Sequence, residues 1–135
     1  MFKLYKGLNE DIRYVRKTVF VSEQGFQNEF DLIDEDCFHV VFYENKKPVA
    51  TCRFYNDEKI YHIGRVAVLK EYRGMHLGEQ VMQFAENEIK EDGGSLIEVS
   101  AQVRIKDFYK KQGYVEQGEV YLDEFCEHIK MVKDL

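Results

Sequence analysis

With 135 residues, 44% of them hydrophobic and 33% charged, the chain has the make-up of one globular domain, long enough to bury a core and too short for two comfortable ones. A formal net charge of −6 and a pI near 5.3 argue against nucleic acid or an anionic membrane as the main partner, because both call for clustered Lys and Arg. No apolar run approaches the roughly 20 residues of a membrane span, and the start MFKLYKGLNEDIR has no apolar signal region, so a cytoplasmic location is expected. The three cysteines, Cys37, Cys52 and Cys126, form no CxxC pair and suggest neither a disulfide framework nor a metal site.

A strand is predicted at residues 2–5, where Phe2 and Leu4 alternate with Lys3 and Tyr5. Asn9 or Asp11 offers a helix cap, and Ile12, Val15, Val19 and Phe20 recur at helical spacing until Gly25 interrupts them. Residues 26–38 are acidic, with Glu29, Asp31, Asp34, Glu35 and Asp36 among Phe30, Leu32 and Ile33. They read as a loop or short helix beside a site, or as a solvated acidic face. From His39 the period becomes two: strands at 39–43 and 48–55 make a hairpin, and after a turn at 56–59 a strand at 60–69 continues the meander. A helix follows from about Met75 to Asp92, with Leu77, Val81, Ala85 and Ile89 on its buried side and Gly93-Gly94 as its stop. Residues 96–102 are rich in β-branched side chains and close a right-handed strand-helix-strand unit, which makes the sheet mixed. A short helix at 104–112, ended by Gly113, and strands at 114–121 and 127–132 complete an α+β domain over residues 1–135.

The order is arranged around residues 63–78, IGRVAVLKEYRGMHLG. Ile63, Val66, Val68 and Leu69 form strand, Glu71, Tyr72 and Arg73 end the run, and helical spacing starts at Leu77. The first amides of a helix have no partner inside it, and with the macrodipole they form an anion site, best for phosphate where glycines admit the backbone. Arg73, Gly74 and Gly78 are placed for that. The stretch is not a P-loop, because Glu79 and Gln80 follow Gly78, and it lacks the third glycine of the dinucleotide fingerprint. It resembles motif A of the GNAT N-acetyltransferases, an apolar strand followed by Arg/Gln-x-x-Gly-x-Gly/Ala whose amides hold the pyrophosphate of acetyl-CoA. Arg73, Leu77 and Gly78 match, and His76 stands where the family usually has glycine. A changed loop conformation or weaker cofactor binding is the expected consequence.

Residues 108–114, FYKKQGY, resemble the family's motif B, Phe-Tyr-x-x-x-Gly-Phe, with Tyr114 in place of the last Phe. The run 19–24, Asp31 and Asp34 with His39, the run 63–66, Ala101-Gln102, and His128 with Met131 are similar to the ElaA-like branch of that family. The resemblance implies a GNAT fold, a mixed central sheet of about six to seven strands flanked by about four helices. It implies direct transfer of the acetyl group of acetyl-CoA, without a metal, to a primary amine of a small molecule or protein. Cofactor contacts are implied at Val66, Ala67, Val68, Arg73, Gly74, Met75, His76, Leu77, Gly78, Gln102 and Tyr109, with Tyr109 protonating the departing CoA thiolate. A CoA-binding sensor without turnover and a partner-binding domain are the alternatives on the same fold. Neither nucleic acid nor membrane is expected as a partner, and monomer and homodimer both stay open.

The chemistry makes its own demands. A lysine-like amine has a pKa near 10.4, so its neutral form at pH 7 costs roughly 4 to 5 kcal/mol and calls for a base or a water chain. A strand amide near Val68 suits the tetrahedral oxyanion. Glu23, at the end of the first helix, is a candidate base or substrate contact; Glu98, His39, His62 and His128 are further candidate bases. Arg53 and Arg65 fall on neighbouring strands and suit either a substrate carboxylate or pairing with Glu23 or the acidic segment, and His128 is a third candidate substrate contact. No cysteine stands in a Cys-His setting in the sequence, so a thiolate nucleophile is not expected.

Overall fold

The computed structural model describes residues 1–58 and 60–135; Lys59, in the second predicted turn, lies outside the described residues. The elements in chain order are β1 (Phe2–Lys6), α1 (Glu10–Arg16), β2 (Phe38–Glu44), β3 (Lys47–Asp57), β4 (Ile60–Val68), α2 (Leu77–Glu91), β5 (Leu96–Gln102), α3 (Lys106–Lys110), β6 (Val115–Asp123) and β7 (Cys126–Asp134). Seven strands form one sheet in the order β1-β2-β3-β4-β5-β7-β6, antiparallel throughout except for β4 against β5. That parallel pair is the strand-helix-strand unit expected around α2, so the sheet is mixed. None of the described helices is long and apolar enough to cross a membrane.

The two faces of the sheet are covered by different elements. Successive side chains of a strand point to opposite faces, and Val40 and Cys52, cross-strand partners, lie on the face whose Cys52 thiol reaches the Val81 carbonyl of α2. Leu77, Val81, Met82, Ala85 and Ile89 bury the stripe of α2 against that face, and Tyr109 of α3 is buried on it too. Val41 and Tyr43, on the other face, pack with Ile12 of α1. Asn9 caps α1, its Oδ1 accepting from the Ile12 amide at 2.8 Å.

Three departures from the sequence reading concern the helices, and the acidic segment takes one of the forms expected of it. Among the described residues there are three α-helices, against the about four expected. The first helix changes at Lys17 into a π-helical run, Lys17–Glu23, which ends at Gln24. The predicted helix at 104–112 is a 3-10 turn, Val103–Ile105, followed by the five residues of α3. The acidic segment is mostly loop with one 3-10 turn, Leu32–Glu35, and it is not a solvated face, since Glu29 and Asp34 are buried.

Candidate active site

Among the described residues, strands β4 and β5 pair only at Tyr61 with Ile97, His62 with Glu98 and Ile63 with Val99. Beyond Ile63 they part. The cause lies in β4: between its pairings Thr51 with Ala67 and Arg53 with Gly64 it holds one residue more than β3, and Arg65 takes φ 52. A bulge of this kind bends its strand and raises its twist, so the end of β4 swings away from β5 while β5 stays on β7 as far as Gln102 with His128. The last residues of β4 therefore have no β5 partner, and their backbone is open on that side. Gln24, at the end of the π-helical run, reaches across to Gln102, whose Nε2 donates to its Oε1 at 2.9 Å.

A cavity of about 460 Å³ lies between the end of β4 and the start of α2, within the usual range for a small-molecule site. Its wall includes Val66, Ala67, Val68, Arg73, Gly74, His76, Leu77 and Gly78, with Arg104, Phe108 and Tyr109 opposite and Glu23 at the edge. Of the residues expected to hold a cofactor, Met75 is exposed and lines no cavity described, and Gln102 faces the second cavity. Gly74 sits at φ +82, and His76 also adopts a left-handed backbone, φ 61 and ψ 22, immediately before α2. The non-glycine residue has thus kept the conformation a glycine there would favour. Its Nδ1 lies 2.7 Å from Glu79 Oε2 in the first turn of α2. A Cβ built on Gly78 would stand 3.0 Å from the Phe108 ring, so glycine here lets α3 close against the helix start.

Arg73 ties the loop together. Its Nε donates to the Val68 carbonyl at 2.9 Å, while Nη1 and Nη2 donate to the two carboxylate oxygens of Glu23 at 2.6 Å each. The hydrogen bonds from Arg73 hold the Glu23 carboxyl below the usual glutamate range.

A second, smaller cavity of about 120 Å³ adjoins the first. Arg65, Glu29, Ser100, Gln102, Asp123, Glu124 and His128 are on its wall. Gln24, Val66, Ile105 and Tyr109 line both spaces, so the cavities meet at these four residues. Tyr109 is 7% exposed, its hydroxyl has no hydrogen-bond partner among the described residues, and burial raises it above the ordinary phenol value.

The family model for the acetyltransferase (GNAT) domain matches residues 9–135 of this chain. The chain is a GNAT-family protein. The uncharacterized N-acetyltransferase YjcF of Bacillus subtilis is 34% identical over 128 residues, covering 93% of this chain and 91% of that one. Among solved structures, an acyl-CoA N-acyltransferase from Pseudomonas aeruginosa superposes with a TM-score of 0.88 at 27% identity, covering 98% of both chains. ElaA of Escherichia coli superposes with a TM-score of 0.88 at 26% identity over 98% of this chain and 99% of its own, consistent with the resemblance to that branch.

The remaining candidates in this GNAT protein fall into two groups. Arg65 and His128 line the second cavity. Arg53, 5% exposed, lines neither; its guanidinium donates to Asp31 and Asp34 at 2.7 to 3.0 Å, so of the two uses open to it, pairing with the acidic segment is the one seen. Arg16, which the sequence reading passed over, donates to Glu29 and Asp34 from beneath the same segment. His39 also lies there, with Cys37 Sγ 3.4 Å from its Nε2. That Cys-His contact went unseen in the sequence. Burial pushes the Cys37 thiol up to about 11 and lowers His39, so the pair stays neutral rather than forming a thiolate and imidazolium. Asp34, Cys37 and His39 are close enough together to suggest a metal, but the Asp34 oxygens already accept from Arg16, Arg53 and the Asp31 amide. Gln24, Glu29 and Arg104 line the cavities without having been singled out. Arg104 lies four residues before motif B, which was a usable signal, whereas Glu29 was one acid among five.

Proposed function

We propose that the protein is an acetyl-CoA-dependent N-acetyltransferase, with acetyl-CoA in the larger cavity and a primary amine in the smaller one. The observation that carries this reading is the meeting of the two cavities at Tyr109, across the gap where β4 leaves β5. The larger cavity suits a pyrophosphate: the unpaired first amides of α2 open onto it, Gly74 and Gly78 keep the backbone bare, and Arg73 and Arg104 supply positive charge. The open backbone at the end of β4 is placed to hold the thioester carbonyl and its developing oxyanion.

In the reaction the substrate ammonium loses one proton to a base, and the neutral nitrogen forms a bond to the acetyl carbon as the carbonyl π electrons move to oxygen. The oxyanion then re-forms the carbonyl as the C–S bond breaks. Tyr109 donates its proton to the departing sulfur and is recharged by the second proton leaving the nitrogen. The sum is amide, free thiol and one proton released to solvent.

Calorimetry and thermal melting with acetyl-CoA and CoA, followed by thiol release with a panel of amines, test the reading. Acetyl-CoA at 100 times its dissociation constant should stabilise the fold by about 2.7 kcal/mol through mass action, and at least one amine should be acetylated. Absence of both overturns the proposal; binding without transfer to any amine favours a sensor on the same fold.

A further inference from the structure

We propose that His128 is the general base and that the smaller cavity selects a small diamine as acceptor. This rests on the acetyltransferase reading above. His128 lies on β7 opposite Gln102 of β5 and Tyr121 of β6, is 6% exposed, and lines the cavity that Tyr109 shares. Its Nδ1 is 3.0 Å from the Cys126 carbonyl. A carbonyl only accepts, so Nδ1 carries the ring proton and the lone pair is left on Nε2. Nε2 has no partner among the described residues. The ring is held in place, stacked on Tyr121 at 6.0 Å between centroids and met edge-on by Phe26 at 6.5 Å. A buried imidazole with a fixed tautomer and an unengaged lone pair is what proton abstraction at this position requires.

The other candidate bases are worse placed: His39, His62 and Glu98 line neither cavity. Glu23 lines only the larger cavity and is held by Arg73. Glu29 reaches the smaller one, but its Oε2 lies 2.8 Å from Arg16 Nε and 3.2 Å from Arg65 Nε.

The acceptor class follows from charge and size. On the wall Glu29 is paired with Arg16 and Arg65. Glu124 accepts from the Gln27 and Asn28 amides, which carry no charge to offset it, and Asp123 has no ion-pair partner among the described residues, so negative charge is left in excess. Gln102 adds a buried Oε1 acceptor with no partner among the described residues. Such a wall favours cations and disfavours an amine that carries a carboxylate. At about 120 Å³ the cavity is smaller than the roughly 300 Å³ at which drug-sized sites begin, which suits a short aliphatic chain. One amino group would give its proton to His128 Nε2 and attack the thioester, while the second stays charged beside Asp123 and Glu124; the imidazolium then releases its proton to solvent. Tyr121 of β6 stacks on the imidazole, and Glu29 from the acidic segment, Arg65 from β4, Tyr109 from α3, Asp123 from β6 and Glu124 from the following turn line the same cavity.

The test compares 1,4-diaminobutane, n-butylamine, glycine and a lysine-containing peptide as acceptors, with calorimetry of 1,4-diaminobutane and of acetyl-CoA. The diamine should exceed each of the others by about tenfold or more in kcat/KM, a difference that one well-placed charge supplies. His128→Gln should lower kcat by about 10²- to 10⁴-fold, with acetyl-CoA affinity unchanged. Asp123→Asn should weaken diamine binding in calorimetry without changing acetyl-CoA binding. Preference for any other acceptor, or His128→Gln with wild-type turnover, overturns the proposal. Should His128→Gln fail to fold, the imidazole resonances of the wild-type protein decide: the proposal requires those of His128 to move on adding the diamine, and their constancy overturns it. Acetylation of glycine with His128→Gln unaffected would sink this inference and leave the acetyltransferase reading standing, whereas loss of acetyl-CoA binding by the wild-type protein would sink that reading first.

Discussion

Because burial raises the Tyr109 hydroxyl above the ordinary phenol value, the group keeps its proton throughout the neutral range and meets the thioester as a donor. Full transfer to sulfur runs uphill. A phenol near pKa 10 facing a thiol near 8.5 is short by about 2 kcal/mol before burial is counted, so the transfer has to be coupled to proton loss from the amide nitrogen. Tyr109→Phe should therefore lower kcat by about 10²-fold or more and leave acetyl-CoA affinity nearly unchanged in calorimetry; equal turnover removes Tyr109 from the acid role. His76 makes a second single-residue case. The left-handed backbone costs a non-glycine residue roughly 1 to 2 kcal/mol, and the greater freedom of glycine in the unfolded chain returns part of that. His76→Gly should raise stability by about 0.5 to 1 kcal/mol in thermal melts and tighten or leave unchanged the affinity for acetyl-CoA. A marked loss of affinity would show that the imidazole itself touches the cofactor.

At the scale of elements, what the sequence showed and what it hid differ by physical kind. Apolar periodicity placed the strands and α2, and the glycines of 74–78 marked the turn, because these depend on neighbours along the chain. The π-helical run did not show, since seven residues are too few to separate its period from 3.6, and Val19 and Phe20 are buried under either. Nor did the bulge at Arg65, which exists only in the register of β4 on β3. Both matter to the site: one delivers Glu23 and Gln24 to it, the other opens it. Glu23 illustrates the consequence. Read from the sequence it is a candidate base, but Arg73 lowers its pKa, which weakens it as one. We expect Glu23→Gln to free Arg73 for an incoming pyrophosphate, tightening acetyl-CoA binding while kcat holds; a collapse of kcat with unchanged affinity would restore the base assignment. The contact between α3 and the start of α2 gives another check. Gly78→Ala places a methyl 3.0 Å from the Phe108 ring and should raise KM for acetyl-CoA as the loop is pushed open.

Across the whole molecule, the acidic segment is fastened to both α1 and the sheet by a buried set of charges: Arg16 and Arg53 converge on Asp34, Arg16 and Arg65 on Glu29, and Arg53 also takes Asp31. The sequence offered these charges without their pairing, because pairing across 13 to 36 positions is a property of the fold. The set should govern acid stability. For Asp34, burial alone would raise the pKa, but hydrogen bonds from Arg16, the Asp31 amide and Arg53, with the guanidinium charges, win and hold it far below the ordinary value of 3.8. The unfolded chain then binds this proton more readily than the folded one, so stability rises with pH through that window. The contribution is complete above about pH 5 and is lost as pH falls below about 4 toward the depressed value. Glu29 carries the opposite sign: burial outweighs its arginines and raises its pKa, so ionising it as pH rises takes some stability away. Urea unfolding from pH 3 to pH 7 should show the Asp34 effect as a steep loss on the acid side. Asp34→Asn should cost about 3 to 5 kcal/mol at pH 7, leaving two buried guanidiniums short of a partner, and should flatten that acid limb. A variant as stable as wild type at pH 7, or one with the same acid limb, would show that the segment is held by packing rather than by charge.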